Sequence, residues 1–175
     1  MDAIDLISLS ALVRTVQARF PDITINMINE NRAEFSPRKE QIRDLIALFD
    51  ESVQMIFPEC VFGVDLGEDK YQVIYILYSH LNNFICQIRV ELSGPEPSID
   101  TTSDIFPAFE WHERETHEMY GIHFQGHPDL RLLLLPDELE GQYPLRKSFV
   151  IDRSRVDESG LATPKPRPER GGASE

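Results

Sequence analysis

Three stretches between positions 61 and 92 favour extended backbone, and this feature constrains the fold more than any other. Residues 61–65, 71–78 and 84–92 are rich in β-branched and aromatic side chains, and two short stretches, 67–69 and 80–83, separate them. In the third stretch the apolar residues Phe84, Cys86, Ile88, Val90 and Leu92 alternate with Gln87, Arg89 and Glu91. Strands joined by short turns pair antiparallel, so the sequence predicts a sheet with one solvated face.

Apolar residues at helical spacing lie on both sides of these strands. An i, i+3, i+4, i+7 pattern predicts a helix over residues 9–20. A serine followed by a proline, Ser36-Pro37, predicts the start of a second helix. The buried face of this second helix would consist of Ile42, Leu45, Ile46 and Phe49. Residues 104–120 predict a third helix, which ends at Gly121.

The order of these elements predicts the fold class. Helices before and after a run of strands are typical of an α+β domain, here with an antiparallel or mixed sheet that carries its helices on one face. Residues 23–27 and 32–35 predict two further short strands. From about residue 121, frequent Gly and Pro predict an extended, ordered segment that crosses the surface. We therefore expect one domain over residues 1–150 and a Pro-rich polar tail over residues 151–175, flexible or docked on a partner.

Charge and hydropathy argue against two classes of protein. The chain has 17 Lys plus Arg and 30 Asp plus Glu, a formal net charge of −13. Such a chain repels a phosphate backbone, so we expect no nucleic-acid partner. Uninterrupted apolar runs are short, as at 132–135, whereas a bilayer-spanning helix needs about 20 residues. The acidic start, with Asp2 and Asp5, is unlike a secretory signal, so a location in the cytosol is expected.

Histidine spacing provides a test for a metal site. His112 and His117 are five residues apart, about 140° around a helix, so they cannot chelate one ion as the i, i+4 pair of a zinc peptidase does. His123 and His127 lie among Gly and Pro, where a spacing of four has no helical meaning. The sequence therefore predicts no catalytic residue and no metal ligand. A free-standing soluble metalloenzyme built on this histidine-rich segment is the alternative from another functional class.

The densest cluster of charges falls on the third predicted helix. Glu110 with Arg114, and Arg114 with Glu118, have the i, i+4 spacing of opposite-charge pairs. Such pairs alone would describe a solvated helix face. Trp111 and Met119 interleave with these charges, however, and indicate a helix that packs on more than one side.

Three motifs in order carry a family resemblance. They are Glu113-Arg114-Glu115-Thr116-His117-Glu118-Met119-Tyr120-Gly121-Ile122, His127-Pro128-Asp129-Leu130-Arg131 and Tyr143-Pro144-Leu145-Arg146-Lys147. Their order and spacing closely resemble the 30 kDa subunit of respiratory complex I, known in bacteria as the C subunit of NADH:quinone oxidoreductase. The chain departs from the common pattern at Gln142-Tyr143, and at Ser148, where an acidic residue often follows the lysine.

The resemblance implies a non-catalytic structural subunit of the peripheral arm of an ion-translocating oxidoreductase. It implies no cofactor in this chain, with iron–sulfur clusters and a flavin or nickel–iron site in partner subunits. It also implies that the extended segment from about residue 121 docks on a 49 kDa partner that is similar to the large subunit of hydrogenases, beside other peripheral-arm subunits that include iron–sulfur proteins. The implied location is the cytoplasmic side of the cell membrane, with membrane contact only through the complex.

The resemblance also assigns a set of subunit-interface residues and leaves the type of complex open. The interface set is Trp111, Glu113, Arg114, Glu115, Glu118, His127, Arg131, Arg146 and Lys147. The same type of subunit occurs in membrane-bound energy-converting hydrogenases, formate hydrogenlyase, and complexes that oxidise ferredoxin or reduced F420. Because the electron donor and acceptor bind to other subunits, this sequence leaves both open.

Overall fold

The computed structural model of the chain describes residues 6–54 and 56–150. Within these ranges the fold consists of three α-helices and seven strands. In chain order they are α1 (Leu9–Arg19), β1 (Thr24–Asn29), β2 (Arg32–Ser36), α2 (Ile42–Ser52), β3 (Ile56–Gly67), β4 (Lys70–Ser79), β5 (Phe84–Ser93), β6 (Ser98–Asp100), α3 (Phe109–Tyr120) and β7 (His123–Gln125).

Five of the strands form one mixed sheet in the order β1-β2-β5-β4-β3. The pairs β1–β2, β3–β4 and β4–β5 are antiparallel, and β2 runs parallel to β5, with Phe35 opposite Ile88. Strands β6 and β7 form a separate parallel pair. The predicted α+β class with an antiparallel or mixed sheet is confirmed.

The helices cover one face of the sheet. The Phe49 ring of α2 packs edge-on against Phe35 of β2 with centroids 5.0 Å apart, and Phe109 of α3 contacts Tyr75 of β4 in the same way at 5.6 Å. Because Phe35 and Tyr75 both lie opposite Ile88, they point to the same face. The predicted placement of the helices on one face is therefore confirmed.

A polar network crosses the opposite face of the sheet. The Arg32 guanidinium donates to the side-chain oxygen of Gln87 at 2.7 Å, and the side-chain nitrogen of Gln87 donates to the Glu34 carboxylate at 2.9 Å. Arg89 donates to the same Glu34 carboxylate at 2.8 Å. Gln87 is buried even though it lies on the predicted solvated face. Its hydrogen bonds on both sides replace those that it would make to water.

Two predicted helix starts are wrong. Ser36 ends β2, where it lies opposite Thr24, so the second helix begins only at Ile42 after a short 3₁₀ turn. The third helix begins at Phe109 and not at residue 104. The Asp104 carboxylate accepts a hydrogen bond from each of two guanidinium nitrogens of Arg43, both at 2.7 Å. This pairing holds the residues before α3 in a turn. In both places, tertiary contacts outweigh the local start signal.

The remaining boundaries differ less. Strand β3 is longer than the predicted 61–65, because an irregularity between Pro58 and Cys60 lets it continue back to Ile56. Gly121 ends α3 in the left-handed conformation, with φ of +70°, as predicted. The predicted tail, residues 151–175, lies outside the described residues, so the domain boundary at residue 150 stays a prediction. None of the helices in the described ranges has the length and hydropathy of a membrane span.

Candidate interface around helix α3

Helix α3 packs closely on strand β3 because Gly63 has no side chain. A Cβ atom at Gly63 would lie 2.6 Å from Cδ2 of Tyr120 and 3.1 Å from Cγ2 of Thr116. The first distance is well inside van der Waals contact, so any larger residue would push the helix away. Position 63 thus fixes the distance between α3 and the sheet.

The Glu113 carboxylate is a fully buried brace inside the chain. It accepts hydrogen bonds from the Thr102 amide at 2.8 Å, from the Thr102 hydroxyl at 2.7 Å, and from the Thr101 hydroxyl. Burial raises the pKa of Glu113, and these three donors oppose the rise. The side chain has no exposed surface, so it holds α3 to the loop after β6 and does not reach the surface that a partner could touch.

The Arg114 guanidinium binds the backbone of the segment that follows β7. It donates to the carbonyl oxygens of Arg131 and Leu132, the latter at 2.7 Å, and to the Asp129 carboxylate at 3.3 Å. The predicted pairs with Glu110 and Glu118 are wrong. Two backbone carbonyls and a carboxylate that are distant in sequence occupy the guanidinium instead.

The Glu118 carboxylate binds three consecutive backbone amides of the same segment. Leu133 donates at 2.7 Å, Leu134 donates to both carboxylate oxygens at 3.0 and 3.1 Å, and Leu135 donates as well. Successive N–H groups that point to one centre form an anion-binding concavity. Arg114 and Glu118, one helical turn apart, therefore fix the path of residues 131–135, which we call the leucine segment.

His127 and Arg131 orient the start of this segment. The Asp129 amide donates to Nδ1 of His127 at 3.1 Å, so Nε2 carries the proton in the contact with the Glu110 carbonyl oxygen at 2.9 Å. The Arg131 guanidinium donates two hydrogen bonds to the Asp129 carboxylate, at 2.8 and 2.7 Å. These bonds hold the pKa of Asp129 well below its usual range. The Arg131 side chain itself is largely exposed.

Arg146 fastens the end of the described chain to the C-terminus of α3. Its Nε donates to the Tyr120 carbonyl oxygen at 2.6 Å. The guanidinium lies 4.6 Å from the ring centroid of Tyr143 and 5.0 Å from that of Tyr71, a double cation–π contact. The next residue, Lys147, donates its backbone amide to Asp65 at 2.7 Å and leaves its side chain exposed. Both basic residues thus hold the segment through contacts within the chain.

One side of α3 stays uncovered. Trp111, Glu115 and Met119 follow one another at i, i+4 spacing, and Trp111 is 59% exposed. Two leucines of the C-terminal segment adjoin this side, Leu134 through its bond to Glu118 and Leu145 through its amide, which donates to the Met119 carbonyl oxygen at 3.2 Å. These leucines are 61% and 53% exposed. The four apolar residues, Trp111, Met119, Leu134 and Leu145, form the surface that we call the α3 apolar surface, and Glu115 lies among them.

Two of the histidines around α3, His117 and His127, contact backbone carbonyl oxygens, whereas Nδ1 of His112 is buried without a hydrogen-bond partner in the described part of the chain. The His117 and His123 rings meet edge-on with centroids 6.0 Å apart. Nδ1 of His117 lies 3.0 Å from the Ile122 carbonyl oxygen, and burial lowers the pKa of His117. Among the residues that the structure describes, no three His, Cys, Asp or Glu side chains come together as a metal site.

The structure brings the predicted interface residues together around one helix, but in two roles. Glu113 and Glu118 are buried and Arg114, His127 and Arg146 hold the chain to itself, while Trp111, Glu115, Arg131 and Lys147 present side chains to solvent. Sequence reasoning missed Asp129, Leu134 and Leu145. The run of four leucines at 132–135 was the available signal, because a short apolar run outside any regular element must either be buried or face a partner.

Comparison with known proteins agrees with the fold and with the motifs. Residues 35–155 match the family described as respiratory-chain NADH dehydrogenase, 30 Kd subunit. The chain is 33% identical over 145 residues to the C subunit of NADH-quinone oxidoreductase from Chloroherpeton thalassium, a match that covers 79% of this chain and 59% of that protein. It is 31% identical over 112 residues to the C subunit of F(420)H(2) dehydrogenase from Methanosarcina mazei, covering 63% and 71% of the two chains.

A solved structure shares the fold. A chain of the membrane-bound sulfane sulfur reductase, an archaeal respiratory membrane complex, superposes with a TM-score of 0.75 at 22% identity. The superposition covers 89% of this chain and 97% of that chain.

Proposed function

The chain belongs to the respiratory-chain NADH dehydrogenase 30 Kd subunit family, and on this premise we propose that it is a non-catalytic subunit in the peripheral arm of a complex I-like, ion-translocating oxidoreductase. Its main partner in this proposal is the 49 kDa subunit, which is similar to the large subunit of hydrogenases. Other peripheral-arm subunits, including iron–sulfur proteins, adjoin it. The iron–sulfur clusters and the flavin belong to those partners, and the chain lies on the cytoplasmic side of the membrane.

The α3 apolar surface is the observation that carries the proposal. Large exposed apolar side chains that lie close together mark an interaction site, whereas single ones are ordinary. Here Trp111, Leu134 and Leu145 are each more than half exposed, although the backbone beneath them is fixed. A surface that is apolar and also rigid loses little conformational entropy on binding, which favours tight and permanent association.

The hydrogen bonds from Arg114 and Glu118 explain how a segment with little regular structure can serve as a binding surface. From residue 126 to residue 150 the only helical element in the described part of the chain is a 3₁₀ turn at Asp137–Leu139. Arg114 and Glu118 bind carbonyl and amide groups, so they hold the backbone and leave the leucine side chains free. In the proposed complex these side chains insert into the partner, and the charged motif residues act as positioning residues for them.

The proposal is tested by purifying the complex from gently solubilised membranes with a tag on this chain. We expect a hydrogenase-like large subunit at a one-to-one ratio. Leu134→Asp should reduce its recovery strongly, because a carboxylate would be buried without a partner. Ile28→Asp is the matched control, since Ile28 is 47% exposed and lies on β1, at the opposite edge of the sheet from β3. Equal recovery with both variants, or no large subunit at all, would refute the proposal.

A complex that oxidises reduced F420 is the second candidate, and the likeness to the F(420)H(2) dehydrogenase protein favours it. Energy-converting hydrogenases, formate hydrogenlyase and ferredoxin-oxidising complexes belong to the same group of assemblies. The same purification distinguishes them. NADH-module proteins among the recovered subunits would indicate the respiratory form. A nickel-containing protein would indicate a hydrogenase, and a deazaflavin-binding protein would indicate the F420 form.

A further inference from the structure

A small groove opens between the edge of the sheet and helix α3. Strand β3 is the last strand of the five-stranded sheet, and it pairs only with β4 within the described residues. Beside its middle lies a cavity of about 160 Å³. Val61 and Gly63 of β3 line it from the sheet, and Met119, Tyr120 and Leu145 are among the residues that line it from the other side. We call this cavity the β3–α3 groove.

The size of the groove limits what it can hold. Pockets for cofactors and other small molecules usually measure about 300–1,000 Å³. This groove is about half the lower value, which suits one apolar side chain and no cofactor. Interface anchors of this kind, a single large side chain in a small apolar pocket, contribute much of the binding energy of protein complexes.

Glu115 sets the charge that the occupant must carry. Glu115 lines the groove from the exposed side of α3, and within the described residues its carboxylate takes part in no hydrogen bond or ion pair. A partner that covered the groove would remove water from this carboxylate. Because an unpaired buried charge is costly, such a partner must supply a cation there.

The groove is continuous with the α3 apolar surface. Leu145 borders the groove and belongs to that surface, and Met119 links the two through its carbonyl bond to the Leu145 amide. A partner that binds the α3 apolar surface therefore also meets the groove, because the two share one contact area.

We propose that the β3–α3 groove receives one apolar side chain of the large partner protein, from a segment that carries a Lys or Arg beside that side chain to pair with Glu115. The inference rests on the proposed function, since it assumes that this large partner covers the α3 apolar surface. It adds the chemistry of the contacting segment: an apolar anchor next to a basic residue.

Site-specific photo-crosslinking in the assembled complex tests the apolar half of the inference. A benzophenone amino acid replaces Leu145, which lines the groove and is 53% exposed, and the matched control replaces Ile28, which is 47% exposed. Ile28 lies on β1, at the opposite edge of the sheet from β3. We expect an adduct at position 145 with an apolar residue of the large subunit within a few residues of Lys or Arg. An adduct with an acidic segment, or adducts with the large subunit only at position 28, would overturn the inference.

Charge reversal at Glu115 tests the charged half of the inference, the pairing of Glu115 with a Lys or Arg of the partner. Glu115→Lys should weaken association of the chain with the complex by about fivefold, the effect of one partly exposed ion pair, and raised salt should shrink the difference. Glu51→Lys on α2 makes the same change of charge at an exposed position outside the groove and should have no effect. If both variants associate as the unchanged chain does, Glu115 has no cationic partner and the inference fails.

These outcomes are distinct from a failure of the proposed function. If purification of the unchanged chain recovers no large subunit, the proposed function fails and the groove has no such occupant. If the large subunit is recovered but neither groove experiment gives the expected result, the proposed function stands and only the groove assignment is lost.

Discussion

Replacing Glu118 with glutamine tests whether one carboxylate holds the leucine segment in place. Both oxygens of Glu118 accept backbone N–H groups, from Leu133, Leu134 and Leu135. Glutamine keeps the shape and one acceptor oxygen, but its amide nitrogen cannot accept a hydrogen bond. At least one backbone amide therefore loses its acceptor, and the acceptor of the remaining hydrogen bonds is no longer charged.

The size of the effect follows from the energy of these bonds. A hydrogen bond to a charged group contributes about 1.5–3 kcal/mol, and a neutral one about 0.5–1.5 kcal/mol. Water can replace part of what is lost, because the leucine segment is only half-buried, with Leu134 61% exposed. We therefore expect local opening of residues 133–135 to become easier by about 2 kcal/mol, which corresponds to about 30-fold faster exchange of their amide hydrogens.

Hydrogen–deuterium exchange followed by mass spectrometry measures this directly. Peptides that cover residues 131–136 should lose protection in Glu118→Gln, while peptides from β4 and β5 should keep theirs. Glu115→Gln is the matched control, because Glu115 lies on the same helix and its carboxylate bonds to none of the described residues. Unchanged exchange of residues 133–135 in Glu118→Gln would refute the idea that this carboxylate fixes the segment.

Two further predictions concern the end of α3 and its buried acid. Gly121→Ala should destabilise the chain more than Gly141→Ala: both glycines have positive φ, +70° and +74°, but only at 121 would the new Cβ meet Arg146 and Tyr143, at 2.7 Å. Equal losses of melting temperature would contradict this. The contribution of Glu113 to the free energy of unfolding should fall as the pH rises, because burial places its folded-state pKa above the unfolded value. The unfolded chain then ionises first, and the contribution present below about pH 4 is lost as the pH passes through the folded-state pKa. Denaturant midpoints from pH 4 to 8 should show this slope in the unchanged chain and a flatter one in Glu113→Gln.

Sequence patterns predicted the elements of this fold wherever the cause is local. The end of α3 was predictable because Gly121 takes a left-handed conformation that other residues rarely adopt. The start of α3 was not, because the turn before it depends on Arg43, which is 61 residues from Asp104. Likewise, the parallel pairing of β2 with β5 joins residues more than 50 positions apart, and no local pattern records it.

The candidate site shows the same division. The motif resemblance identified Arg114 and Glu118, and their placement beside one another on α3 follows from their spacing. Their partners were not predictable, because they are the backbone groups of residues 131–135, and backbone carbonyls and amides have no signature in sequence. Residue identity suggested ion pairs along the helix, whereas the folded chain uses both charges to hold a segment without regular secondary structure.

This use of charge separates the scaffold from the contact surface. Arg114 and Glu118 bind the backbone of the leucine segment, so substitution of a leucine side chain changes what a partner meets and leaves the braces intact. Leu134→Asp should therefore weaken assembly without faster amide exchange at residues 133–135 in the isolated chain, whereas Glu118→Gln should accelerate exchange and weaken assembly together. If Leu134→Asp accelerated exchange as much as Glu118→Gln does, the exposed leucine would be part of the scaffold, and the contact surface would have to lie elsewhere on the chain.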